Sequence, residues 1–262
     1  MVDDSAIQAI AQRLRSCDRI LFVTGAGLSA DSGLPTYRGV GGLYEEADTE
    51  EGIPIERALS GQMLHARPEV AWRHIQRIEE ACRGARPNRA HEVMVALEAD
   101  FDVWTLTQNV DGLHAAAGAR QLIEIHGNVH GLSCTTCAWQ ETVPDYRHLA
   151  PVPRCPGCQS LVRPDVVLFG EMLDGGLVQV LEREMARGFD AVFSVGTTSV
   201  FPYIAMPVLA ARRAGALTVE INPGRTEVSA QVNHKLWSGA AETLDALWRA
   251  WKAPDPGSES LE

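Results

Sequence analysis

The chain has 262 residues and a formal net charge of -11, long enough to bury one large core with a smaller module beside it. The acid excess excludes non-specific nucleic-acid binding, which needs a basic surface, and otherwise serves solubility. The longest apolar stretch, "VFPYIAMPVLAA" from Val200, holds two prolines and is too short to span a bilayer, and "MVDDSAIQAIAQRL" lacks the character of a targeting segment. A cytoplasmic chain without membrane contact is expected.

In chain order, an amphipathic helix over about residues 5 to 16 precedes a strand near 19 to 24. That apolar run (Ile20 to Val23) leads into Gly25-Ala26-Gly27, with Ala30 where the third small residue of a dinucleotide fingerprint falls. A full crossover helix should follow, but Pro35 stops one. Helical patterns then cover about 68 to 83 and 88 to 99, the second with Asn88 as N-cap. "FDVWTLT" reads as a strand ending at Thr107, and the apolar run "QLIEIHG" ends at His126-Gly127. Further on come "DAVFSVG" (strand), "FPYIAMPVLAARRAG" (helix), "LTVEIN" (strand) and "GAAETLDALWRAWK" (helix). Strands alternating with helices predict an α/β fold with a doubly wound parallel sheet. The polar end of the chain, from residue 251, is expected to be a disordered tail.

Four of the six cysteines form two knuckles, Cys134-x-x-Cys137 and Cys155-x-x-Cys158, seventeen residues apart. This is zinc-ribbon spacing, and four thiolates would leave no open position, so the ion would be structural. Paired disulfides are the alternative, disfavoured without a secretory signal. Cys17 and Cys82 fall in helical patterns and read as small buried apolar residues.

Polar or glycine clusters follow the carboxyl ends of apolar runs: Gly25-Ala26-Gly27, Gln108-Asn109-Val110-Asp111, Gly196-Thr197-Thr198-Ser199 and Asn222-Pro223-Gly224. In a parallel sheet these ends line one crevice, and four loops of small residues suit a dinucleotide.

The ordered set "GAGLSADSGLPTYRG", "TQNVDGLH", "IHG", the two knuckles, "VVLFGE", "GTTS" and "EIN" resembles the sirtuins, NAD-dependent protein deacylases, over most of residues 20 to 240. The resemblance implies a Rossmann-like NAD-binding domain (1–39, 84–130, 166–250). It also implies a cofactor loop with a helical insertion (40–83) and an inserted zinc-binding module (131–165). NAD would be a co-substrate and one zinc ion structural. In sirtuins the amide oxygen of an acylated lysine attacks the ribose carbon as nicotinamide leaves, giving an alkylimidate. A base then frees a ribose hydroxyl to attack it, and free lysine and O-acyl-ADP-ribose result. The resemblance assigns that base to His126, whose ordinary pKa suits it, and a catalytic and recognition role to Asn109. It places Gly25, Ala26, Gly27, Ser29, Asp31, Tyr37, Arg38, Gln108, Asp111, Gly196, Thr197, Thr198, Asn222 and Ala240 on NAD. It sets Val166, Val167, Leu168, Phe169, Gly170 and Glu171 beside the substrate backbone, as an added strand. Asp111 also reads as a helix cap, and Arg38 as a solvated loop residue. Partners would be proteins bearing acylated lysine, and the chain a monomer.

Bacterial sirtuins that remove succinyl groups often carry a Tyr-x-x-Arg pair, and alignment on Trp72 puts Ile75 and Ile78 there. Two isoleucines leave a buried carboxylate unpaired, so neutral acyl groups are expected, acetyl or longer. The competing placement makes both residues plain helix core. Competing activities are an NAD glycohydrolase, a mono-ADP-ribosyltransferase, and a non-enzymatic NAD-binding zinc module; a dehydrogenase fits least.

Overall fold

The computed structural model describes residues 3–36, 49 and 52–253. Helix α1 (Asp4–Leu14) is capped by the Asp3 carboxylate, which accepts from Ala6 N, and buries Ile7, Ile10, Ala11 and Leu14. Strand β1 (Arg19–Thr24) runs into a single-turn helix α2 (Ala26–Ser29) and a 3-10 turn (Ala30–Ser32). Gly33, at φ 82°, takes a left-handed conformation that ends this turn ahead of Pro35. The helical break expected from the sequence is therefore present, and it starts at the glycine.

Helices α3 (Ile55–Ala58), α4 (Gly61–Ala66), α5 (Pro68–Cys82) and α6 (Arg89–Leu97) follow. Asn88 caps α6: its side-chain oxygen accepts from Ala90 N at 2.9 Å. Next come β2 (Asp102–Thr107), the short α7 (Leu113–Ala117) and β3 (Leu122–Glu124). The run ending at His126 is thus strand for only three residues; Ile125 and His126 form a turn before β4 (Gly127–Cys134). Strands β5 (Gln140–Thr142) and β6 (Val162–Val166) flank β4 in an antiparallel sheet. The chain closes with α8 (Gly175–Arg187), β7 (Ala191–Val195), α9 (Pro202–Arg213), β8 (Leu217–Ile221), β9 (His234–Leu236) and α10 (Ala240–Lys252). Helix α10 runs two residues, Trp251 and Lys252, into the segment read as tail, and the Trp251 ring packs on Phe101 at 5.0 Å; residues 254–262 lie outside the described residues.

The large sheet has the order β3-β2-β1-β7-β8-β9 with every pairing parallel. Strand β1 shows why such strands read as unbroken apolar runs. Ile20 and Phe22 join the core under α1, α6 and α10, whereas Leu21 and Val23 join the opposite core under α8 and α9. Phe22 stacks on Phe193 of β7 at 5.0 Å. A third core joins α3 to α5 with the antiparallel sheet, and there Trp72 Nε1 donates to Val162 O at 2.9 Å. Chain order reverses on either side of β1, which opens a crevice at its carboxyl end. No helix among the described residues is long and apolar enough to cross a membrane.

Candidate active site

The loops after β1 and β7 meet backbone to backbone in this crevice. Gly25 N donates to Val195 O at 3.1 Å and Gly27 N to Gly196 O at 2.8 Å. A Cβ on Gly196, which sits at φ 61°, would lie 2.2 Å from Leu28 N, and one on Gly27 2.8 Å from Gly196 Cα. Glycine is required at both positions for the loops to close.

Asn109 and Asp111, from the loop after β2, complete a buried network. The Asn109 amide donates to Gly25 O and to Ser29 Oγ, each at 3.1 Å, and Ser29 Oγ donates to Asp111 Oδ2 at 2.7 Å. Asp111 also accepts from Leu113 N at 2.9 Å, but from one position ahead of the N-cap of α7, which is Gly112 and not Asp111 as expected. Burial raises the Asp111 pKa, and these two hydrogen bonds oppose the rise. Ala26, Ser29, Asn109 and Asp111 line a cavity whose other wall includes Ile78 and Cys82 of α5. Burial pushes the Cys82 thiol up to about 12, in keeping with an inert side chain.

Gln108 Nε2 donates to Thr197 Oγ1 at 2.7 Å, and Asn222 Nδ2 to Thr197 O at 3.1 Å, so three strand ends are tied together. Thr198 is exposed. Asp31 instead accepts from Ala241 N at 2.9 Å, beside Ala240 in the first turn of α10. Tyr37 and Arg38 lie outside the described residues.

His126 is held from two sides. Nδ1 lies 3.1 Å from Gln108 O, and Nε2 2.7 Å from the Tyr203 hydroxyl. A carbonyl only accepts, so Nδ1 carries the proton of the neutral ring and Nε2 presents its lone pair. Burial lowers the His126 pKa, opposed by the bond to Gln108, which favours a neutral ring able to act as a base.

The segment 166–171 leaves the end of β6 beside this histidine. Val167 N donates to His126 O at 2.9 Å, while Phe169 exchanges backbone bonds with Leu59 and Gly61. Glu171 points inward: it grips Arg163 with both oxygens at 2.7 Å and accepts from Leu168 N at 2.9 Å. Leu168 is buried, Phe169 is 43% exposed, and Gly170 adopts φ 81°. Ile75 belongs to the third core at 2% exposure; Ile78 is only partly buried and reaches the cavity.

The sulfurs of Cys134, Cys137, Cys155 and Cys158 lie within 4.8 Å of one another. Measured separations of 3.4, 3.5 and 3.6 Å are far too long for disulfides and close to the roughly 3.8 Å between thiolates around one tetrahedral zinc. The donor set therefore fits a zinc ion.

Residues 25–202 match the model of the Sir2 family. The chain is 48% identical to NAD-dependent protein deacylase 2 of Pseudomonas aeruginosa, over 93% of this chain and 96% of the relative. It belongs to the Sir2 family. A solved Sir2 homolog–NAD complex superposes with a TM-score of 0.81 at 33% identity, over 94% of this chain and 93% of that one. A Sir2–p53 peptide–NAD+ complex gives 0.80 at 27% identity, over 93% and 97%. Two contacts of this Sir2-family site escaped the sequence: Tyr203, seen there only as part of a helix, and Arg163, the partner of Glu171. Both depend on tertiary placement, and no local pattern marks either.

Proposed function

We propose that the crevice binds NAD with its nicotinamide end at Asn109, Ser29 and Asp111, and that His126 Nε2 is the base in removal of acyl groups from protein lysine. The chain is an NAD-dependent protein deacylase of the Sir2 family, with NAD as co-substrate. The observation that carries the assignment of the base is the held, neutral ring of His126, one loop bond away from Asn109. NAD supplies a nicotinamide–ribose bond whose cleavage leaves cationic character on the sugar. Asn109 and Asp111 orient that end, and the apolar wall at Ile78 limits water. His126 takes a proton from a ribose hydroxyl at Nε2. Gly25, Gly27, Gly196, Thr197 and Asn222 carry the pyrophosphate and adenosine side. The segment 166–170 lies beside the substrate backbone, and the Glu171–Arg163 pair fixes its shape. Cys134, Cys137, Cys155 and Cys158 would hold one zinc ion, which would serve to brace the antiparallel sheet and would take no part in activating water. Reduced thiolates suit work in the cytoplasm.

For the acyl group we propose acetyl or a longer neutral chain, with succinyl disfavoured. The support is Ile78, which lines the cavity and brings no cation to a carboxylate; Ile75 contributes core packing. Nicotinamide release is to be measured with unmodified, acetyl, long-chain acyl and succinyl lysine peptides. Release with neutral acyl peptides alone supports both parts. Strong release with succinyl peptide removes the preference and keeps the deacylase. Release without peptide points to a glycohydrolase.

A further inference from the structure

Tyr203, in the first turn of α9, is used by no step above, yet among the described residues its hydroxyl is the side-chain group hydrogen-bonded to the reactive nitrogen of His126, at 2.7 Å. Its ring is fixed by stacking on Phe201 at 5.5 Å and 14°, and both rings meet the imidazole edge-on at 6.0 Å. Burial raises the pKa of the phenol, so it keeps its proton. Among the described residues, the groups facing the imidazole are the Gln108 carbonyl from the loop after β2, Phe201 at the N-cap of α9 and Tyr203 in its first turn. Among the described residues no charged side chain contributes to the shift at His126.

We infer that Tyr203 is a positioning residue for the base, a hydroxyl that donates to Nε2 of neutral His126 and turns to accept from it once the ring has taken a proton. A hydroxyl is the smallest group able to serve both states, and partial exposure lets its own proton turn to solvent. The proton transfer balances within the pair: the Tyr203 hydroxyl turns its proton away and frees the one lone pair of Nε2, the ribose hydroxyl loses a proton, Nε2 gains it, and Tyr203 then accepts from the new N–H without changing charge. The inference rests on His126 being the base, as proposed above.

The bond to the protonated ring is charge-assisted and the stronger of the two, so the tyrosine favours the imidazolium. Tyr203→Phe keeps the stacked ring and deletes the hydroxyl. The expected result is a fall in kcat of about tenfold, with KM for NAD within about twofold. The acid limb of the kcat/KM profile should move to lower pH by about 0.5 to 1 unit. Coincident limbs, or a move to higher pH, would overturn the inference. A second measurement needs neither activity nor the variant: imidazole 15N spectra of the wild-type protein without NAD. A proton on Nδ1 with a hydrogen-bonded, bare Nε2 is expected; the opposite tautomer overturns the inference. Because those spectra remain readable if wild-type protein releases no nicotinamide, failure of the deacylase reading and failure of this inference are separable.

Discussion

Two histidines outside the crevice should make the protein sensitive to mild acid. His91 of α6 and His114 of α7 pack ring to ring, 4.8 Å between centroids, at 0% and 3% exposure. His114 Nε2 is 2.9 Å from Thr24 Oγ1; His91 Nδ1 accepts from Asn88 N at 3.3 Å, and its Nε2 is buried without a hydrogen-bond partner among the described residues. Protonating His91 would set its new N–H against that of Asn88 and bury a charge beside another imidazole. Burial accordingly lowers His91 to about 4 and His114 to about 3, His91 adding to the latter. The sign follows: both pKa values are depressed in the fold, so the stability they confer is complete above the unfolded value near 6.5 and is lost as pH falls toward 4. At pH 5 the unfolded ring is about 1.5 pH units below its pKa, which costs ~2 kcal/mol per ring or ~4 kcal/mol for the pair. That is a large share of a typical stability of about 5–15 kcal/mol. His126, also depressed by burial, adds in the same direction. Urea unfolding at pH 7.5, 6 and 5, with zinc in excess, reads this window above the range where the paired carboxylates Asp102 and Glu184, both depressed, begin to protonate. His91→Phe should remove about half of the part of the pH slope that the pair contributes. A wild-type stability flat from pH 7.5 to 5, or an unchanged slope in the variant, would refute the argument.

Cys155, fully buried, should be needed for the metal module: Cys155→Ser is expected to lose about one zinc per chain by elemental analysis and to lower the thermal midpoint, because three thiolates close the site poorly. Glu171→Gln breaks the paired grip on Arg163; KM for the acyl peptide should rise about three- to tenfold with KM for NAD unchanged, in steady-state assays varying each substrate. Ile78→Arg brings a cation to the cavity wall, and the ratio of succinyl to acetyl turnover on matched peptides should rise about tenfold or more.

What the sequence disclosed and what it hid divide along one physical line. Strands β1, β7 and β8 are buried on both faces, so their apolar runs are unbroken and the polar loops behind them stand out before any sheet order is known. A parallel sheet puts every one of those loops on the same edge, which is why Asn109, Gly196 and Asn222 could be grouped from sequence. The cysteine knuckles were legible for the same reason, being local. Partnerships across the chain were not. Asp31 reads as a cofactor residue from its motif, yet its carboxylate accepts from the N–H of Ala241, 210 residues away. Glu171 ends a substrate segment by sequence and holds Arg163 by structure. Strand β9 is three residues long, too short for a period to register, and α8 passed unread although Leu177, Leu181 and Glu184 mark one face of it. The order β3-β2-β1-β7-β8-β9 is what sets Gly196 against Gly27 and Gln108 against Thr197. The residue types of a site can thus be read from the ends of its strands, whereas the protonation state of its base depends on neighbours that only the sheet order supplies.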